Sequence, residues 1–225
     1  MTRVFFIAVF VACAHCYLHA HKDSLNILPD TTNRLLSRSH IMQLKDGALI
    51  LRLKTNDKSI EQYRKSGRND VAEKIIADNR KRNLDIANAF RAEFSFCKVY
   101  FMFTRDTRKF LAGDTKVFLN DTLSADTTIQ LKEKFSLFAE YGTVMANLRA
   151  DEYHYSGVKK TKESSQPMSS SALFASDLNL NQLTEPFPFY AVVYLDNFKK
   201  AAARWSNSLE KYYTLTKLGG SNFKK

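Results

Sequence analysis

Ala48-Leu49-Ile50-Leu51-Arg52-Leu53 and Val99-Tyr100-Phe101-Met102-Phe103 are short apolar runs, and the segment between them decides the fold. Each run is too short for a buried helix and suits a pleated surface. The first follows Asp46-Gly47, a turn signal. The second has no polar interruption, which predicts burial on both faces, as in the centre of a parallel or mixed sheet. Between them the pattern turns helical. Ser59 to Gln62 reads as a capping box that opens a short helix through Ile60 and Tyr63, ending near Gly67. A longer helix begins at Asn69-Asp70, with Glu73 in its first turn, where the helix dipole favours acid. Ala72, Ile76, Asn79, Asn83, Ala87, Phe90 and Phe94 then recur at steps of three and four and share one face. Asn79 and Asn83 interrupt that seam, either as a polar binding face or as an edge reaching water. Arg80-Lys81-Arg82 falls on the solvated side. Strand 48–53, helices 59–94 and strand 99–103 make a β-α-β unit, for which a right-handed crossover is the rule.

The second half adds strands. Thr115 to Leu119 and Phe135 to Tyr141 are candidates. Leu173-Phe174-Ala175, a turn at Asp177-Leu178-Asn179-Leu180 and a return over Phe187 to Leu195 predict a hairpin, and Pro186 and Pro188 put the return strand at a sheet edge or bulge. Residues 156–171, rich in Ser and Lys with Pro167, read as a long mobile loop. A last helix runs from a cap at Asp196 or Asn197 to about Tyr213. Phe198, Ala201, Ala202, Trp205, Leu209 and Tyr212 form its buried stripe, and Lys199, Lys200, Arg204 and Lys211 its wet side. The expectation is an α/β fold: a mixed β-sheet of about five strands flanked by helices. It forms a single domain over 45–215, after a polar lead-in over 21–44 and before a basic tail over 216–225.

The N-terminus speaks of address. Arg3, the apolar run Val4 to Ala12, and small residues at Ala12 and Ala14 have the layout of a secretory signal peptide over 1–20. The run falls well short of the ~20 apolar residues that a membrane span needs, and His15, His19, His21 and Lys22 follow it. No transmembrane span is therefore expected in the mature chain. Ala12-Cys13 also allows a lipid anchor at Cys13, the less favoured alternative because Phe10 is unusual for such a site. His15, Cys16, His19 and His21 fall in the cleavage region and do not make a metal site. The expected location is periplasmic or cell-surface.

The formal net charge is +11, and loss of the leader, which carries Arg3 alone, leaves +10. Such an excess suits an anionic surface, although solubility alone accounts for it. Nucleic acid is not an expected partner, because no recognition module accompanies the charge. After cleavage only Cys97 remains, so no internal disulfide forms and the core must hold the domain. Cys97 is expected to be a buried structural thiol; the rival reading, a reactive thiol, needs a neighbouring cation and solvent access. Lys98 is adjacent, but neighbours on a strand point to opposite faces.

Three stretches carry a resemblance: ALILRLKT (48–55), AFRAEFSFCKVYFMF (89–103) and SDLNLNQLTEPFPFY (176–190). Together they resemble a group of uncharacterised exported proteins of Bacteroidota-type bacteria. The likeness spans most of 45–215 and implies export, but no activity and no functional residue. The element order is also similar to thioredoxin-like folds, without the C-x-x-C pair of thioredoxin chemistry.

Phosphate-cradling glycine loops, nucleophile elbows and recognised metal-ligand spacings are absent from the sequence. No cofactor is expected. Two weak clusters remain. Arg105 and Arg108, with Asp106, Lys109 and Asp114, follow the second strand, where α/β sheets gather ligands and an arginine can pair with a carboxylate or phosphate. Asp151, Glu152 and His154 could meet a divalent cation. Asn120-Asp121-Thr122 matches a glycosylation acceptor. The expected function is a non-catalytic binding or accessory protein of the cell envelope, its partner an envelope protein or an anionic surface. The alternatives are an enzyme with a non-standard site and a thioredoxin-like redox protein using Cys97.

Overall fold

A computed structural model describes residues 28–146 and 168–219. The N-terminal segment read as a signal, with Cys13 and its His cluster, the Asp151–His154 group and most of the segment 156–171 lie outside the described residues. The elements in chain order are α1 (Leu28–Lys45), β1 (Ala48–Leu53), α2 (Asp57–Lys65), α3 (Asn69–Glu93), β2 (Lys98–Phe103), a 3-10 turn (Thr104–Asp106) and α4 (Thr107–Leu111). Then follow β3 (Ser136–Ala146), β4 (Met168–Ser176), β5 (Tyr190–Val192) and α5 (Phe198–Lys217). The strands form one mixed sheet in the order β2-β1-β3-β4-β5. β1 runs parallel to both β2 and β3, and the β3–β4 and β4–β5 pairs are antiparallel. The fold is α/β, with helices flanking a five-stranded sheet.

The sheet separates two cores, because successive residues of a strand face opposite ways. On one face Leu49, Leu51 and Leu53 of β1, Leu137 and Ala139 of β3, and Leu173 and Ala175 of β4 meet α1, α3 and α5. On the other, Ile50, Met102 and Phe138 pack with Val117 and Phe118, joined by Tyr100, Phe110, Ile129 and Leu131. This smaller core lies under α4 and an irregular strap, residues 112–135. Glu133 pins the strap to β2, accepting hydrogen bonds from the Tyr100 hydroxyl at 2.8 Å and the Lys98 ammonium at 2.7 Å. Burial pushes the Glu133 carboxyl upward, but those two donors outweigh it and hold the group below its usual range.

Several expectations change. β2 is an edge strand, not a central one. Its apolar run reports covered faces rather than two neighbouring strands: Phe101 belongs to the large core and Met102 to the small one. Its outer edge meets the strap, where the Leu119 N–H donates to the Phe101 carbonyl at 2.9 Å and Phe118 bridges Met102. Thr115 to Leu119 therefore pairs through isolated bridges and is no regular strand. The strand with neighbours on both sides is β1, in which Ala48 to Leu51 are wholly buried.

The polar lead-in is helical from Leu28 and belongs to the core through Ile41 and Leu44. Its buried stripe includes Ser37, whose hydroxyl bonds that of Tyr212 at 2.8 Å, while Leu35 and Leu36 face solvent. That inversion hid the helical period. The helix α2 begins two residues before Ser59, with Asn56 in the left-handed region at φ 54° as its N-cap, so the capping box does not form. Residues 168–171 pair with β3 as part of β4 instead of continuing a loop. At the entry to β1, Gly47 is required by close approach: a Cβ there would lie 2.6 Å from the Phe135 carbonyl oxygen, which accepts from the Ala48 N–H.

Where the expectations hold, periodicity was strong. All six residues of the α5 stripe are buried, and the Asn197 side chain caps the helix by accepting from the Lys200 N–H at 3.0 Å. β5, the return strand after Pro186 and Pro188, lies at the other sheet edge.

Candidate functional site

From β1 the chain crosses to β2 on one side, and the strand on the other side is β3. Connections thus diverge at the carboxyl end of β1, the switch point at which open α/β sheets leave a crevice. A cleft of about 280 Å³ lies there. Arg52, Lys54 and Asn56 form its floor, Asn79, Arg82 and Asn83 of α3 one wall, and Tyr141 to Thr143 of β3 with Ser171 of β4 the other. The α3 residues are spaced by three and four, which puts them on one stripe.

Asn79 and Asn83 build this wall. The Asn83 amide donates to the Lys54 carbonyl at 2.9 Å and the Asn79 amide to the Thr55 carbonyl at 3.1 Å. Asn79 Oδ1 accepts from the Asn56 amide at 2.9 Å. Carbonyls running past the end of a sheet need partners, and these side chains supply them. Asn83 is only 5% exposed, so it does not form an edge reaching water; it holds the exit of β1 against α3.

Arg52 is fixed beneath the cleft. Its cross-strand partner in the sheet register is Glu140, with Nη1 3.3 Å from Oε2 and both side chains largely shielded. Nε donates to the Thr107 hydroxyl at 3.2 Å, and the guanidinium lies 5.3 Å from the Phe138 ring centre. The charge of Arg52 is therefore matched and its position set.

Lys54 and Arg82 differ from Arg52. Neither has an acidic partner among the described residues, and no carboxylate lines the cleft. Lys54 lies across Gly142 of β3. A Cβ at that position would stand 3.2 Å from Nζ and 3.1 Å from the Phe174 ring, so glycine leaves the room in which the ammonium rests. Arg82, read from sequence as part of a solvated triplet, is exposed at the rim of the cleft. The Lys54 ammonium rests with Phe174 on the sheet face opposite to that of Tyr141 and Leu173, while Arg82 stands at the cleft rim on the α3 side.

The other sequence candidates do not converge. Arg105 is exposed at the end of the edge strand, with Nη1 3.6 Å from Asp57 and Nε 3.9 Å from Asp106. Lys109 also pairs with Asp106, at 2.8 Å. Asp114 accepts from the Lys116 backbone N–H, and Arg108 is exposed on α4. These charges mostly satisfy one another on the surface. Asp151 and His154 lie outside the described residues. Among the described residues no cluster of His, Cys, Asp and Glu has the form of a metal site, and no helix is long and apolar enough to cross a membrane. Asn120 Oδ1 accepts from the backbone N–H groups of Thr122 and Ser124, closing its own turn.

Cys97 packs against the large core just before β2. Burial pushes its thiol up to about 12, against weaker downward pulls from the Leu49 N–H and Lys45. At pH 8 about 10⁻⁴ of such a thiol is ionised, and the thiolate is the reactive form. Labelling of Cys97 by a maleimide at pH 8 is accordingly expected to be at least a hundredfold slower in the folded protein than in denaturant. Equal rates would remove the structural assignment.

Sequence reading missed Lys54, Gly142 and Thr143. One signal was available: Arg52 is a charge inside an otherwise apolar strand, which marks the point where the sheet meets something polar. Comparison of the chain with models of protein families, with curated proteins and with solved structures gave no match.

Proposed function

We propose that this chain is an exported binding or accessory protein of the cell envelope that takes up a ligand in the cleft at the carboxyl end of β1. The observation carrying this reading is the cleft itself: a crevice at a sheet switch point, walled by asparagines locked to backbone carbonyls, with Arg82 at its rim. Such pre-set walls lower the ordering cost of binding. The signal-like leader supports export, as does the resemblance of 45–215 to exported proteins of Bacteroidota-type bacteria. A lipid anchor at Cys13 is the alternative mode of attachment. The formal charge suits a partner that is itself anionic, either an envelope protein or a surface. The redox alternative, a thioredoxin-like protein working through Cys97, is weakened by the partly buried, upshifted thiol.

The test is native mass spectrometry of the full chain after exposure to a small-molecule extract of envelope fractions. Thr143→Trp and Ser171→Leu, which add bulk to the wall formed by β3 and β4, serve as filled-cleft variants. The expected result is a retained small molecule that at least one folded variant loses. Retention by both folded variants at the original level, or no retention at all, would sink the cleft reading.

A further inference from the structure

We infer that the loop between β5 and α5 is a docking tip for an anionic phospholipid bilayer: Tyr194 and Leu195 enter the interface, and Lys199, Lys200 and Arg204 meet the lipid phosphates. This rests on the envelope reading above and gives its anionic surface a chemical class. Exposure singles out the tip. Leu195 is fully exposed and Tyr194, beside it, is 62% exposed, although burying a leucine side chain is favourable. Leu195 and Asp196 both lie in the left-handed region, at φ 50° and 53°. A leucine is costly there, so the backbone is strained at the place where it holds an apolar side chain outward.

The tip is fixed in position. The Asn197 N–H donates to the Tyr194 carbonyl at 3.0 Å and the Phe198 N–H to the Asp196 carbonyl at 2.9 Å, closing the turn. Phe198 is buried and meets Tyr141 edge-on, with ring centres 5.1 Å apart. Charge names the occupant. The Arg204 guanidinium lies 5.3 Å from the Tyr194 ring centre and also donates to the Val192 carbonyl. Lys200, four residues before Arg204, shares its side of α5, and Lys199 is adjacent; all three are exposed. Residues 194–204 set these three cations against one acid, Asp196. A tyrosine ring suits the headgroup level of a membrane, and lysine and arginine beside it suit anionic lipid. An acidic protein would meet the cations but needs a pocket for the leucine, whereas lipid accepts it without one. The tip also stands at the cleft end of the sheet, since the Val193 N–H donates at 2.8 Å to the carbonyl of Ser171, a residue of the cleft wall.

The experiment is flotation of the full chain with vesicles of mixed phosphatidylglycerol and phosphatidylcholine, and with vesicles of phosphatidylcholine alone. Binding to the anionic vesicles is expected, well above that to the neutral ones. Leu195→Asn should weaken it about tenfold, as expected for one leucine lost from the interface. Because asparagine tolerates the left-handed backbone, its thermal unfolding midpoint should be unchanged or raised. Leu195→Trp should strengthen binding, because tryptophan favours the interface. The double variant Lys199→Gln/Lys200→Gln should weaken it roughly tenfold. Lys132→Gln/Lys134→Gln, at exposed lysines before β3 and so at the other end of the sheet, should leave it nearly unchanged. Failure to bind anionic vesicles overturns the assignment. So does binding that neither Leu195 variant alters, which would belong to the apolar run 4–12, and so does equal weakening by both lysine pairs, which would mean a diffuse field. Loss of stability in Leu195→Asn would assign the leucine to the fold and overturn it too. If the vesicles fail while the envelope extract yields a molecule that the filled-cleft variants lose, the tip falls and the binding reading stands. If that molecule is absent as well, both fall.

Discussion

Trp205→Ala is expected to cost about 3–5 kcal/mol of stability, as befits removal of a fully enclosed aromatic. Trp205 is 1% exposed at the centre of α5 and meets Phe90 of α3 and Phe94 just after it edge-on, with ring centres 6.2 and 6.1 Å away. Its indole N–H also donates to the Pro188 carbonyl at 2.7 Å, tying the segment before β5 to the helix. The substitution therefore opens a cavity between two helices and leaves a carbonyl without its donor. A chain of this size should lose roughly 10 °C in the midpoint of thermal unfolding, read by circular dichroism. Trp205→Phe keeps much of the packing and loses the hydrogen bond, so it should fall between the two. A loss below 1 kcal/mol for the alanine variant would show that the α3–α5 contact is not central to the fold.

Phe118→Ala is expected to cost a similar amount, about 3–5 kcal/mol, but to show it locally first. Phe118 is wholly buried in the smaller core, with its ring centre 5.1 Å from that of Tyr100 and 5.8 Å from that of Phe110. It belongs to an irregular strap, and the hydrogen bond from the Leu119 N–H to Phe101 covers the outer edge of β2. Without the Phe118 ring, that edge should open without unfolding the helical side of the sheet. Native-state hydrogen exchange should show the Leu119 amide losing protection while the amides of β1, shielded on both sides, keep theirs. If Leu119 stays protected, the strap is held by Glu133 and its partners Tyr100 and Lys98 instead.

The two substitutions touch cores of different legibility. The α5 core follows from the spacing of Phe198, Ala201, Ala202, Trp205, Leu209 and Tyr212, because a helix repeats its buried face every three to four residues. The strap core has no such period. Val117, Phe118, Ile129 and Leu131 join it through turns and isolated bridges, whose geometry depends on what lies beneath them. The same distinction explains α1. Its buried positions include a serine and its exposed ones two leucines, so hydrophobicity pointed away from the true stripe.

The candidate cleft was legible only in pieces. Asn79 and Asn83 stood out as polar interruptions of a buried seam, and the rule that ligands gather beyond strand ends led to Arg105 and Arg108. β2, read as central, is an edge strand, and β1 is the strand with a neighbour on each side. Lys54 drew no notice, since nothing in its local sequence tells that a glycine of β3 will lie beneath it.

By itself the sequence determined the α/β class, the β-α-β unit, the closing hairpin and the final helix. These follow from local periodicity and turn chemistry, which act between residues close in the chain. Only the tertiary structure decided the strand order, the covering of the β2 edge, the pairing of Arg52 with Glu140 and the binding of Asn79 and Asn83 to the carbonyls at the exit of β1. Each of those depends on which distant segments become neighbours, and that is governed by the burial of whole faces rather than by any single stretch of residues.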